Sequence, residues 1–407
     1  MEIKDRNDDS RLRITIIHDS RIIGYIVIDS IIGGHSHGGL RLMPDIDEDE
    51  IGILARGMTL KFGFLGLPHG GAKAGVVGDP EAPLNDRLKL LTSFGKSIYP
   101  LLANHIYIPA TDMGTEISDI RHMVKSSGVS VKKREFRVNR TGFYTALTVF
   151  TGAKKAVQHL GLEMSKCSAA IEGYGKVGSS LGDFLYNSGV RLVAISTSRG
   201  AIYNKDGLDV RRLNRLTKEA GSRVVDLYDG ANRIDRSSLL ELPVDILLPC
   251  ARHHSVHGEN VKNISARIIC PGANNPVTLD AQRELQDNGI MYLPSFITNS
   301  GGVLGGTMEF ASIKKGKIVE FVNQYIGPNI ASLLDKADRE KRTVRDIAVP
   351  MAMNRLKKMK QKSRRRNSLS LLFELALDLY RRGCIPSSMV RGPAYRYFEK
   401  AFQGEVM

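Results

Sequence analysis

One lysine, Lys73, stands among glycines in Leu67-Pro68-His69-Gly70-Gly71-Ala72-Lys73-Ala74-Gly75. Glycine lets backbone close tightly around a small ligand, and a lysine desolvated beside another cation can act as a base towards water. A second lysine, Lys61, lies twelve residues earlier, and a candidate acid or base, Asp112, follows in Tyr107-Ile108-Pro109-Ala110-Thr111-Asp112-Met113-Gly114. A carboxyl shut away from water has its pKa raised, which suits a proton shuttle. Taken singly, Lys73 reads equally as a surface lysine and Asp112 as a turn or cap residue. Farther on, Gly173-Tyr174-Gly175-Lys176-Val177-Gly178 follows a buried-type strand, Ser168 to Glu172, and opens a helix. That context turns a weak Gly-x-Gly-x-x-Gly match into a useful dinucleotide fingerprint, because a pyrophosphate can then approach backbone N–H groups at a helix N-terminus. Together these residues point to hydride transfer between an amino acid and a nicotinamide cofactor.

The strand after the fingerprint ends in Ala194-Ile195-Ser196-Thr197-Ser198-Arg199. No carboxylate is there to take a ribose 2′-hydroxyl, whereas Thr197, Ser198 and Arg199 suit a 2′-phosphate. The cofactor is therefore NAD or NADP, with NADP favoured.

The elements that must position these groups form two domains, as 407 residues allow. Residues 11–17 and 21–28 read as strands, 45–62 as a helix ending near Lys61, Pro68 to Gly71 as a turn that Lys73 leaves, 86–102 as a helix, and 106–109 as a strand leading to Asp112. A helix over 145–160 links the domains. From residue 168 short apolar strands alternate with helices, implying a parallel sheet, and from about 318 the chain is mostly helical. The expected boundaries are 1–143, 144–320 and 321–407. Hydrophobic residues at 42% and charged ones at 25% are ordinary for a globular protein. The first ten residues are too charged for a signal peptide, no apolar run would cross a bilayer, and four scattered cysteines form no metal-ligand pair. The expectation is a reduced, cytoplasmic protein. Part of the formal charge of +15 sits in the run 355–366. Without an accompanying nucleic-acid-reading motif, that run reads as a solvated face or linker rather than a nucleic-acid site.

Several ordered motifs resemble the glutamate/leucine/phenylalanine/valine dehydrogenase family over about residues 10–320. The Lys73 segment is similar to its Pro-x-Gly-Gly-x-Lys-x-Gly signature, and the Asp112 segment to its Asp-x-Gly loop. Ser198 to Gly207, Asp245 to Pro249, Pro271-Gly272-Ala273-Asn274 and Phe296 to Val303 follow in order. The resemblance implies an α/β protein. An N-terminal domain would bind substrate and build a homo-oligomer, a Rossmann-like doubly wound domain would bind the dinucleotide, and C-terminal helices would pack back on the first domain, with catalysis in the cleft. It also implies roles: Lys61 for the substrate α-carboxylate, Lys73 as catalytic lysine, Asp112 as general acid/base, Asn299 for the carboxylate, and Asn274 and Thr145 beside the cofactor.

The chain departs from that pattern where the side chain of a glutamate would be recognised. His37, in His37-Gly38-Gly39-Leu40-Arg41, stands where glutamate-specific members carry a lysine, and Gly306 where they carry a serine. His37, Gly38, Gly39 and Gly306 are thus candidate substrate residues, and a non-acidic L-amino acid, branched-chain or aromatic, is the expected substrate. A glutamate dehydrogenase with a rebuilt pocket is one alternative. A weakly catalytic nucleotide-binding protein with a basic nucleic-acid-contacting tail is another. Thr148 replaces a glycine and brings bulk expected near the nicotinamide. Arg252-His253-His254 has no neighbouring carboxylate, and no metal is expected.

Overall fold

A five-stranded and a seven-stranded sheet organise the chain. The structure is a computed structural model describing residues 12–136, 140–364 and 368–403. It separates into two compact units, Met1–Val138 with Met351–Val390, and Asn139–Pro350 with Arg391–Met407. The helices after residue 320 are therefore shared between the units.

In the first unit, β1 (Leu12–His18) and β2 (Arg21–Ile28) form an antiparallel hairpin. Asp19 and Ser20 turn it at φ 47° and 62°, the left-handed pair that matches strand twist. With β3 (Ser36–Met43), β4 (Gly70–Val77) and β5 (Tyr107–Thr111) the order is β1-β2-β4-β3-β5. Strands β3, β4 and β5 run parallel, and β2 is antiparallel to β4. Side chains alternate between faces along a strand. Leu40, Leu42, Ala72, Ala74 and Val76 enter a core with Leu91, Phe94, Ile120 and Met123. The other face turns to the helix Glu48–Leu65: a Cβ on Gly71 would run into Thr59, and one on Gly75 would lie 2.7 Å from Ile51. His37, Gly39, Arg41, Gly71 and Lys73 share that face.

Two expectations are corrected here. Gly70 and Gly71 belong to β4 and not to a turn, so Lys73 sits within a strand. Their missing side chains admit Ser30 and Thr59 backbone at distances no Cβ would tolerate. β3 was not expected at all, since His37-Gly38-Gly39 reads locally as a loop. The expected helix over 86–102 breaks at Ile98 into Leu84–Ser97 and Tyr99–Ala103, where Pro100 has no N–H to continue the ladder.

In the second unit the strands are β6 (Ser168–Glu172), β7 (Arg191–Thr197), β8 (Gly200–Tyr203), β9 (Asn232–Ile234), β10 (Ile246–Pro249), β11 (Ile268–Ile269) and β12 (Met291–Tyr292). Their order is β12-β11-β10-β6-β7-β8-β9. The first five are parallel, as expected, but β8 and β9 run antiparallel beyond β7. Only Ser198 and Arg199 separate β7 from β8, too few residues for a parallel crossover. Ala170, Val193, Leu247 and Ile269 anchor one face of the sheet on Leu239, Leu240 and Leu285.

Of the basic run, residues 365–366 lie outside the described residues. Arg355 is not part of a solvated face: it is 5% exposed and its guanidinium donates to Phe64 O at 2.7 Å. It thereby donates to a carbonyl in the last turn of the Glu48–Leu65 helix. Among the described residues no helix is long and apolar enough to cross a membrane.

Candidate active site

The helix Glu48–Leu65 starts at Asp47, whose side chain accepts from Glu50 N at 2.8 Å, and stops at Gly66 in a left-handed conformation. Its last turns bring Lys61 over the glycine-bearing face of β3 and β4, near Lys73 and Asp112. Lys61 is 6% exposed and Lys73 3%, so two amines share a dry site. Lys73 Nζ forms an ion pair with Asp112, which follows β5 directly. Thr115 fixes that loop, accepting from Asp112 N at 3.0 Å and donating to Leu40 O at 2.8 Å. Gly39 is required by closeness: a Cβ there would lie 2.9 Å from Asp112 Cβ and 3.3 Å from Lys73 Nζ. Gly38, on the opposite face, accepts the Tyr107 hydroxyl at 3.1 Å through its carbonyl.

Two further residues complete this cluster. Arg41 Nε lies 3.4 Å from Asp112 Oδ2, and the same guanidinium pairs with Glu50. Burial by itself works to raise the Asp112 pKa, but Lys73 and Arg41 overcome it and hold the carboxyl well below the usual range. Asp112 is therefore a standing carboxylate, not the raised acid that burial alone implies. Burial lowers the Lys61 amine to about 7, helped by Lys73. It also lowers Lys73, with Arg41 acting the same way and Asp112 opposing. Such a site holds one carboxylate acceptor beside amines that give up their protons readily.

His37 lies two residues from Gly39 on the same face, about 7 Å along the strand. Its ring is 4.2 Å from that of His69 and 6.0 Å from Phe62, with Phe62 and His69 5.5 Å apart. Burial holds His37 well below its ordinary pKa, and His69 at about 4, with His35 and Arg381 adding to both. The nest is thus aromatic and uncharged near neutral pH. His37 Nε2 and His69 Nδ1 are buried without hydrogen-bond partners.

The remaining expected site residues lie in the second unit. Gly173 (φ 88°) carries the chain out of β6, and its N–H donates to Ser196 Oγ at 3.1 Å. Gly175 precedes the helix Lys176–Asn187, and nothing stands within 4 Å of where its Cβ would be. A Cβ on Gly178 would strike Gly173 O. Open space over a helix N-terminus, with glycine at each close approach, fits a dinucleotide pyrophosphate. At the end of β7, Thr197 Oγ1 donates to Ser222 O at 2.8 Å. Ser198 and Arg199 are exposed, and Arg199 Nε and Arg233 converge on Asp226 at 2.5 and 3.1 Å.

Asn299, 3% exposed, donates to Ala273 O at 2.9 Å and Asn274 Oδ1 at 3.0 Å, so its amide hydrogens serve neighbours in its own unit. Thr145 and Gly306 are half-buried, on the helices Thr141–His159 and Gly301–Phe310. Thr148 does not crowd an open site. It is fully buried, donates to Thr145 O at 3.1 Å and accepts Gly301 N at 3.0 Å, and so caps the Gly301–Phe310 helix. Among the described residues no group of three or more His, Cys, Asp or Glu is placed to hold a metal.

Residues 139–364 match the Glutamate/Leucine/Phenylalanine/Valine dehydrogenase pattern, and residues 10–128 match the Glu/Leu/Phe/Val dehydrogenase dimerisation domain. A glutamate dehydrogenase of Thermotoga maritima is 32% identical over 321 residues, 74% of each chain. An NAD-specific glutamate dehydrogenase of Staphylococcus aureus is 30% identical over 300 residues, 70% of each chain. Among solved structures, the hetero-hexameric glutamate dehydrogenase from Thermus thermophilus in its Leu-bound form shares the fold. Its TM-score is 0.74 at 22% identity, covering 86% of this chain and 89% of that one.

Proposed function

The chain belongs to the glutamate/leucine/phenylalanine/valine dehydrogenase family, and from that premise we propose that it catalyses reversible NAD(P)-dependent oxidative deamination of a non-acidic L-amino acid. The products are the 2-oxo acid and ammonia. The observation that carries this reading is the buried set of Lys61, Lys73 and Asp112 on one sheet face.

A bound nicotinamide supplies the hydride acceptor. Lys61, in its protonated form, holds the substrate α-carboxylate. Asp112, already ionised, takes a proton from the substrate ammonium, which frees the nitrogen lone pair that must expel hydride from Cα. Lys73, its pKa lowered, removes a proton from the water that adds to the iminium carbon. Asp112 then returns its proton to the amine, and ammonia departs as the hydroxyl on the same carbon gives up its proton to water, leaving the 2-oxo acid. Gly39 leaves room for the reacting carbon, and Thr115 keeps Asp112 in register.

The substrate side chain would meet His37, His69 and Phe62. Placing a carboxylate against uncharged rings without a cation costs about 2–5 kcal/mol, which favours an aromatic or branched side chain. Two observations support glutamate instead: the relatives bear that name, and Arg381 lies close enough to depress both histidines. For the cofactor, the arginines at the end of β7 favour a 2′-phosphate, whereas Asp226 beside them suits the 2′-hydroxyl of NAD. We propose NADP. We further propose that the chain acts as a homo-oligomer, in line with its match to a dimerisation domain.

The test is turnover of purified protein on a panel of L-amino acids with NAD and NADP, with Lys73→Ala as control. Turnover of a branched or aromatic amino acid, lost in the variant, is the expected result. Glutamate as the preferred substrate would refute the side-chain assignment, and silence across the panel would refute the activity.

A further inference from the structure

The catalytic reading leaves unused a carboxyl that adjoins the dinucleotide loop in sequence: Glu172, half-buried as a residue. Glu172 is the last residue of β6, in register with Pro249 of β10, where the strand order reverses. Ligands of open α/β sheets bind outside the carboxyl ends of the strands at such a point. The next residue is Gly173, where a Cβ would lie 2.9 Å from Ala251. Glu172 Oε2 is buried and has no hydrogen-bond partner. An ion there is costly, so the group tends to neutralise. Burial pushes Glu172 up to about 7, against the opposing pull of Ser255 and Arg236.

We propose that Glu172 sets the affinity of the dinucleotide loop through its charge: protonated, it leaves the loop open to the pyrophosphate, and ionised, it repels it. This rests on the dinucleotide reading of Gly173 to Gly178. The groups around Glu172 are few. Arg236 begins the helix Arg236–Glu241, and Cys250 follows β10, its thiol pushed by burial up to about 12. Arg252, His253 and His254 lie on the loop that carries Ser255, and on the β7 side the Ser196 hydroxyl accepts from the adjoining Gly173 N–H. Cys250 titrates too high to matter. Because the two imidazoles share that loop, a variant must separate them from Glu172.

The experiment is fluorescence titration of the full-length protein with NADH and with NADPH from pH 6 to 8.5, for wild type and Glu172→Gln. If binding raises the Glu172 pKa by one unit, the wild-type Kd weakens about sevenfold across that range. Glu172→Gln should keep the tight low-pH value across the range. If that variant does not fold, Glu172→Met takes its place. Infrared spectra of the wild type should in addition show a protonated carboxyl at pH 6 that is gone at pH 8.5. Parallel profiles in wild type and variant, or no such carboxyl, would overturn the inference alone. Absence of binding of either dinucleotide at every pH would overturn the dinucleotide reading with it.

Discussion

Replacing Arg41 by methionine should move the acid limb of the catalytic pH profile without touching any group that meets substrate. Arg41 Nε is 3.4 Å from Asp112 Oδ2, and both side chains are largely buried. At that distance and an effective dielectric of about 20, the attraction is about 5 kcal/mol, an upper limit on what one guanidinium contributes. Opposite charges this close usually lower an aspartate by about 1–3 units. The sign follows: Asp112 is depressed in the folded protein, so its base form is lost only at low pH. Removing Arg41 raises the Asp112 pKa and also that of Lys73, which Arg41 likewise depresses, so both base forms are lost earlier as pH falls. With Lys73 still in place, the acid limb of kcat/KM should rise by about one unit or more. Arg41→Met also strips Glu50, 5% exposed, of its buried partner, at about 3–5 kcal/mol of stability. Arg41→Met with Glu50→Leu should recover much of that stability and keep the shifted limb. An acid limb that stays put in the double variant would refute the claim that Arg41 tunes Asp112.

Other predictions follow from single contacts. Lys61, at about 7, loses its charge as pH rises through neutrality, so KM for the 2-oxo acid in the reductive direction should climb over that range. Lys61→Met should raise KM and flatten the climb, and a KM that falls with pH would contradict the role. Arg355→Met removes a buried donor to Phe64 O and should cost about 1–3 kcal/mol, read as a lower Tm. Thr148→Gly removes the acceptor of Gly301 N and should cost a similar about 1–3 kcal/mol while leaving KM for the dinucleotide unchanged. A changed KM would return Thr148 to the cofactor site.

Lys61, Lys73, Asp112 and the Gly173 loop were legible in the sequence because each sits in a short segment whose residue types and order carry the chemistry. Their surroundings were not. Arg41 and Glu50 belong to a strand and a helix whose partnership exists only after folding. The strand itself was hidden because His37-Gly38-Gly39, like Gly70-Gly71, looks like a loop unless the backbones pressing on it are known. The standing charge of Asp112 depends on Arg41, so burial alone pointed the wrong way. His69, one residue before β4, gave no signal apart from its ring contacts with His37 and Phe62. Arg355 was lost within a basic run, where nothing local separates a capping residue from a solvated one.

The most direct test of the central claim follows the hydrogen on Cα. A turned-over L-amino acid carrying deuterium at Cα is incubated with enzyme and oxidised dinucleotide, and the reduced dinucleotide is weighed by mass spectrometry. Direct hydride transfer predicts one deuterium in each reduced dinucleotide formed. Deuterium released to water, with none in the dinucleotide, would contradict the account.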